Sequence, residues 1–206
     1  MAQGAELVQG EVADFIKDGE RVSGVTTAKQ KTFSADAVAV TTGIWSPGLT
    51  EKLGIRVPVE SERGYHVELI KPTIVPRSPI MVASGKFVMT PMDDRLRLAG
   101  IVEFGGLKAE ASSAPHELLR KKVRESLPGI EWHEEDTWLG HRPAPVDSIP
   151  LIGKINHLPG LYTGFGHHHI GLTGGPRTGQ LLAQLISGQE PEVDLSTYRP
   201  DRFNNR

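Results

Sequence analysis

The residues best suited to chemistry lie in one stretch, Gly164-Phe165-Gly166-His167-His168-His169-Ile170-Gly171-Leu172-Thr173-Gly174-Gly175-Pro176. Glycines let a flat ligand or a phosphate approach the backbone, because no Cβ stands in the way. A strand leads into the stretch and a helix leaves it. The first N–H groups of that helix and the positive end of its dipole favour an anion or a partly negative ligand atom. The same residues also read as a connector that needs glycine conformations, and spacing alone does not separate the two. Three adjacent histidines raise the question of a metal. Neighbours in an extended chain point to alternate faces, no clear carboxylate accompanies them and cysteine is absent, so no metal is expected. Arg142, at a strand end before Pro143, is the candidate anion clamp. A guanidinium can hold a carboxylate through two parallel hydrogen bonds; the plainer reading is a salt-bridged surface Arg. Tyr65 and His66, after Arg63-Gly64, either line a pocket or cover a sheet.

Elements must position these groups. Leu7-Val8 and Val12 to Ile16 read as extended, Lys17-Asp18-Gly19-Glu20 as a turn, and Arg21 to Thr27 as the returning strand. An Asp-Gly pair between two such runs signals a hairpin. Asp36 to Thr42 is apolar without strict alternation, as for a strand buried on both faces. It runs into the glycine turn Gly43-Ile44-Trp45-Ser46-Pro47, with a helix start after it. The middle of the chain reads as antiparallel strands at Tyr65 to Ile70, Lys86 to Met89 and Arg95 to Val102, the last two joined by a turn at Pro91 to Asp94. Leu119, Val123 and Leu127 share one face of a helix that Pro128-Gly129 stops. Thr137 to Arg142 and Gly160 to Phe165 read as strands. Pro176 to Ser187 reads as a helix with Pro176 in its first turn, Leu181, Leu182, Leu185 and Ile186 on its apolar face, and Gly188 at its end. The tail after Asp194 reads as irregular.

Composition narrows the classes. A chain of 206 residues makes one ordinary domain or two small lobes. Hydrophobic residues at 38% and charged residues at 23% exclude a wholly disordered or collagen-like chain. A formal net charge of −2 gives no electrostatic case for nucleic acid or an anionic membrane. The absence of cysteine removes disulfides and thiolate nucleophiles and is compatible with a reducing compartment. No targeting segment and no apolar run of membrane-spanning length is visible. A soluble cytoplasmic protein is expected, with peripheral membrane association as the alternative.

Taken in order, these blocks resemble the C-terminal part of the FAD-dependent amine and amino-acid oxidoreductases, the superfamily of D-amino-acid oxidase and dehydrogenase, glycine oxidase and sarcosine oxidase. Glu11 to Val25 resembles the strand pair before the family's second glycine motif, and Asp36 to Ser46 resembles that motif. Pro58 to His66 resembles the entry into its substrate domain. Trp138 to Pro143, Pro150 to Gly153 and Leu161 to Gly179 resemble its closing blocks. The family opens with a G-x-G-x-x-G turn between a strand and a helix. This sequence carries no such fingerprint, so the resemblance reads it as a C-terminal fragment or a natural truncation. On its own it is expected to bind FAD weakly, and either to self-associate or to take a partner that supplies the missing N-terminal part.

The resemblance implies an α/β (α+β) fold. The remaining cofactor lobe would span 1–54 and 144–206, and a mainly antiparallel substrate lobe would span 55–143. The implied cofactor is FAD. Val12 would lie near the adenine through its backbone, and Thr42, Gly43 and Trp45 would line the cofactor. Gly166, His167, Gly171, Leu172 and Thr173 would border the flavin ring, with the following helix start at its N1/O2 edge. Arg142 would grip the substrate carboxylate and set Cα over flavin N5, with Tyr65 and His66 as further pocket residues. The implied reaction is oxidation of a D-amino acid or a glycine- or sarcosine-like amine by hydride transfer to the flavin, with no obligatory acid–base side chain. Two alternatives stay open. One is another flavin reaction, on glycerol 3-phosphate or a 2-hydroxy acid; the other is a non-catalytic subunit or remnant.

Overall fold

The structure is a computed structural model and describes residues 4–203. In chain order the strands and helices are β1 (Val12–Asp18), β2 (Arg21–Thr27), β3 (Thr32–Ser34), β4 (Val38–Val40), α1 (Ser46–Thr50), β5 (Val59–Ile70), β6 (Ile80–Val82), β7 (Phe87–Pro91), β8 (Arg95–Phe104), α2 (Ala114–Ser126), β9 (Glu134–Pro145), β10 (Leu151–Lys154), β11 (Leu161–Phe165) and α3 (Gly171–Ile186). They fall into two compact units. The outer unit joins the segment ending at Val59 to the segment beginning at Pro143; the inner unit is Glu60–Arg142.

In the outer unit, β1 and β2 form the antiparallel hairpin that Asp18-Gly19 predicts. Asp18 pairs with Arg21, and Gly19 adopts φ +59°, a left-handed turn conformation that glycine takes without steric cost. β3 extends this sheet. A second sheet has the order β10-β11-β4, with β10 antiparallel to β11 and β4 parallel to it. Val22, Val40, Ile55, Leu151, Leu161 and Phe165 form the core beneath them.

Four expectations need correction here. Leu7 and Val8 join no strand. The run before Gly43 is not a strand buried on both faces. Only Val38–Val40 is strand, among the described residues it pairs on one side alone, and Ala39 is exposed. α3 starts at Gly171, so Pro176 sits inside the helix, and Leu185 and Ile186 are only partly covered. The glycines that looked like a connector form the first turns of the helix. The described part of the tail is not irregular throughout: short 3₁₀ turns run over Ser196–Tyr198 and Pro200–Phe203. Arg202 pins them by donating to Asp147 Oδ2 at 2.8 Å and Oδ1 at 3.0 Å and to the Ile149 carbonyl at 2.6 Å. α3 closes as expected. Gly188, at φ +73°, donates to Leu185 O, and Gln189 donates to Gln184 O, the paired bonds of a Schellman cap.

The inner unit is one sheet in the order β6-β7-β8-β5-β9, with α2 against it. Alternation along β8 buries Leu96 and Leu98, which pack with Val67 and Leu69 of β5 and with Leu119 and Val123 of α2. The opposite register of β5 and β8 sets Glu62 across from Phe104 and Gly64 across from Val102. Residues opposite each other share a face, so these four line the other side of the sheet.

Candidate functional site

β4 and β11 are parallel neighbours and end on the same side of their sheet. The crevice beyond such strand ends is where open α/β sheets bind ligands. A cavity of about 350 Å³ lies there, lined by Thr41 and Gly43 after β4, by Gly164 to His168 at the end of β11, and by Gly171, Gly175 and Gly179 of α3. Residues four apart share a helix face, so these three glycines present a bare one. A Cβ at Gly175 or Gly179 would meet nothing within 4 Å, which leaves room for a flat group against the helix backbone. Gly166 has φ +89°, and a Cβ there would come within 2.7 Å of Pro145. Glycine is therefore required to turn the chain from β11 into the cavity wall. No side chain caps the N-terminus of α3, where the first N–H groups of any α-helix lack intrahelical partners.

His167 occupies the mouth of this turn. Its Nε2 lies 2.8 Å from Thr178 Oγ1, and the Thr178 hydroxyl donates to the Gly174 carbonyl at 3.0 Å. A hydroxyl has one proton, so Nε2 carries the hydrogen in this pair and Nδ1 is left as the acceptor. Burial pushes the His167 pKa down from 6.5. Leu172 and Thr173 do not line the cavity, and Leu172 is 95% exposed. Val12, Thr42 and Trp45 line a second hollow of about 510 Å³ with Gly10, Glu11 and Gly48. Adjacent residues Thr42 and Gly43 thus face one hollow each.

In the inner unit Arg142 leans over β5. Its Nη1 lies 3.4 Å from Glu62 Oε1, and a Cβ on Gly64 would collide with the guanidinium. The guanidinium therefore rests flat on a glycine backbone. It is no solvated surface group: its side chain is 31% exposed, and that of Glu62 is 8%. His66 stacks on Trp138 with centroids 5.0 Å apart, accepts from Arg97 at Nδ1 (3.0 Å) and turns Nε2 toward Glu68 (3.6 Å). Burial first, then Arg97, lowers its pKa, with Glu68 opposing. Tyr65 is on the other side of the strand. It is buried, and its hydroxyl donates to Glu103 at 2.6 Å, so the structure does not bring it together with Arg142. Among the described residues no group of three or more His, Asp or Glu side chains could hold a metal ion. No helix among them is long and apolar enough to cross a membrane.

The sequence profile described as DAO, FAD dependent oxidoreductase, matches residues 1–185. The chain belongs to the DAO family of FAD-dependent oxidoreductases. A D-amino-acid oxidase of Bradyrhizobium diazoefficiens is 38% identical over 98% of this chain and 49% of its own length. A glycine oxidase of Pseudomonas aeruginosa is 32% identical over 93% of this chain and 52% of its own length. The crystal structure of iminodiacetate oxidase from Chelativorans sp. BNC1 matches with TM-score 0.80 at 27% identity, covering 97% of this chain and 55% of that one. The chain thus spans about half the length of the relatives it matches. The family resemblance and the mixed α/β fold with antiparallel sheets hold as read from sequence.

The residues that line these hollows are not all legible in the sequence. Thr41, Thr178 and Gly179 line the cavity without being singled out, although the spacing of Gly171, Gly175 and Gly179 is a readable signal of a bare helix face. Glu62 carries no sequence signal, because its relation to Arg142 exists only across two strands.

The two lowered histidines fix a pH response. A group whose folded pKa lies below its unfolded value gives stability that is present above the unfolded pKa and is lost as pH falls through the folded one. The melting temperature should therefore fall on acidification below about 6.5, the ordinary imidazole value. His167→Gln keeps a nitrogen donor but removes the titration, and should flatten part of that fall. Parallel wild-type and variant profiles between pH 7 and 5 would refute the assignment.

Proposed function

We propose that this chain holds FAD in its outer unit and grips an amino-acid carboxylate through Arg142 in its inner unit, as part of an enzyme that oxidises an amino acid or related amine. The observation that carries the cofactor reading is the bare glycine face of α3 beside its uncapped N-terminus. A flat ring needs that open wall, and a partly negative ring edge needs those N–H groups. The Gly171, Leu172 and Thr173 N–H groups would hold the ring edge. Gly43, Gly166 and His167 would border the ring, Thr42 and Trp45 would line the cofactor, and the Val12 backbone would lie near the adenine. FAD, when bound, would supply the acceptor for the hydride of the substrate's Cα–H bond; the amine would give up a proton to solvent as the C=N bond forms, and water would convert the imino acid to a 2-oxo acid and ammonia. Arg142 orients the substrate by its carboxylate. Placing a carboxylate-bearing substrate rigidly is the chain's main contribution, because hydride transfer needs alignment more than it needs a proton donor. The amine and amino-acid substrates named for the relatives support this class.

Gly179→Leu tests the reading. Leucine is a better helix residue than glycine by about 0.5–1 kcal/mol, so the melting temperature should hold or rise. The same side chain fills the cavity, so the affinity for FAD, followed by flavin fluorescence on titration, should fall at least about tenfold. An unchanged FAD affinity would remove this cavity from the cofactor site.

A further inference from the structure

We propose that Glu62 is a specificity-determining residue that receives the substrate's amino group, so that the Glu62–Arg142 pair reads an α-amino acid as a zwitterion. The inference rests on the assignment of Arg142 to the substrate carboxylate. An arginine that had only to hold a carboxylate would do so best with no anion beside it. Here Glu62 Oε1 lies 3.4 Å from Arg142 Nη1 on the same face, with Glu62 8% and Arg142 31% exposed. A second carboxylate arriving at that guanidinium is repelled by Glu62 through poorly screened space. A ligand that carries its own cation one carbon away from its carboxylate reverses the sign of that term. Its carboxylate takes the guanidinium and its ammonium donates to Glu62, so each charge meets its opposite.

Two further features favour this over a merely structural pair. The contact uses one guanidinium nitrogen at a long distance, which leaves the rest of the donor fork for a ligand. Gly64, on the strand beneath, keeps the guanidinium pressed to the backbone, so its position does not depend on the Glu62 bond alone. Apolar groups flank the pair: Val102 and Phe104 share this face, and both are exposed. The pair therefore selects amino acids over 2-hydroxy acids and plain carboxylates of the same shape.

The test uses the whole chain and three probes of nearly one size: D-alanine, D-lactate and propionate. Affinities are followed by chemical-shift changes at the Arg142 Nε–H and Trp138 indole N–H. Wild type should prefer alanine over lactate and propionate by about tenfold, the scale of one charge-assisted hydrogen bond. Glu62→Gln should bring the ratio close to one, with propionate binding as well or better. Glu62→Asp keeps the charge but withdraws it by one methylene, and should leave an intermediate ratio. A ratio that Glu62→Gln and Glu62→Asp leave unchanged, while Arg142→Leu weakens the binding of all three probes, overturns the role of Glu62 alone. Affinities for all three that Arg142→Leu leaves unchanged, or no binding to wild type, overturn the carboxylate assignment and this inference with it.

Discussion

Arg142→Leu should raise the dissociation constant for an amino-acid carboxylate by about 30-fold, with flavin affinity unchanged. Truncating one partner of a buried charge-assisted pair costs about 2–5 kcal/mol. Arg142 keeps 31% of its side chain exposed, so the lower end of that range applies, and about 2 kcal/mol corresponds to that factor. Loss of the arginine also leaves Glu62, 8% exposed, with one fewer positive neighbour, which opposes an incoming anion further. Arg142→Lys should recover only part of the loss. An ammonium is a point charge on a flexible stem and cannot reproduce the planar fork that lies on Gly64. The substrate constant, FAD affinity and melting temperature are measured on one preparation. If Arg142 only stabilises the fold, melting temperature and binding will fall together, and in that case the clamp is wrong.

Glu103→Ala should destabilise the inner unit strongly, because it takes the carboxylate away from a buried arginine. Arg63 is 2% exposed, and Glu103 is its carboxylate partner at 3.4 Å. Removing the acid leaves a buried guanidinium without its counter-charge. Glu103 also accepts from the Tyr65 hydroxyl at 2.6 Å and from Ser112 Oγ at 2.7 Å, while Arg63 donates to the Glu110 carbonyl at 2.6 Å. These bonds hold the segment after β8 against the sheet. Hydrogen exchange of residues 105–113 should therefore accelerate well beyond what the global loss of stability explains. The double variant Arg63→Met/Glu103→Leu removes both charges, and should be less destabilised than Glu103→Ala in urea titrations. Equal midpoints would mean that the pair's charge is not what the segment depends on.

What can be read from the sequence follows from the range of the physics involved. The β1–β2 hairpin depends on Asp18-Gly19 and its immediate flanks, and the α2 core face depends on one periodicity, so both are visible locally. The approach of Gly43 to Gly166 is visible only through family resemblance, because it arises from pairing β4 with β11 across the whole inner unit. Composition misleads at α3. Glycine and proline rank lowest in helix propensity, so the first turns read as loop, yet the chain is helical from Gly171, and the later turns pack on Gly164 through Leu182 and Thr178. A Cβ at Gly164 would come within 2.8 Å of Leu182 and 2.9 Å of Thr178, so the close contact itself needs glycine. Tyr65 and His66 are neighbours in sequence but answer to opposite sides of a strand, and only the partners across the sheet decide which one is locked in the interior.

The parallel pairing of β4 with β11 also governs how the chain is made. β4 leaves the ribosome well before its only described strand neighbour, and the entire inner unit is synthesised in the interval. The inner unit is contiguous and can reach its native contacts while still tethered, whereas the outer unit cannot close its second sheet until Phe165 has emerged. During translation β4 is thus a strand without its pairing partner, open to wrong pairings and to chaperone capture. Rare codons or pauses placed between the inner unit and β11 lengthen that exposure. Synthesis yield should therefore respond more to pausing there than to pausing after α3.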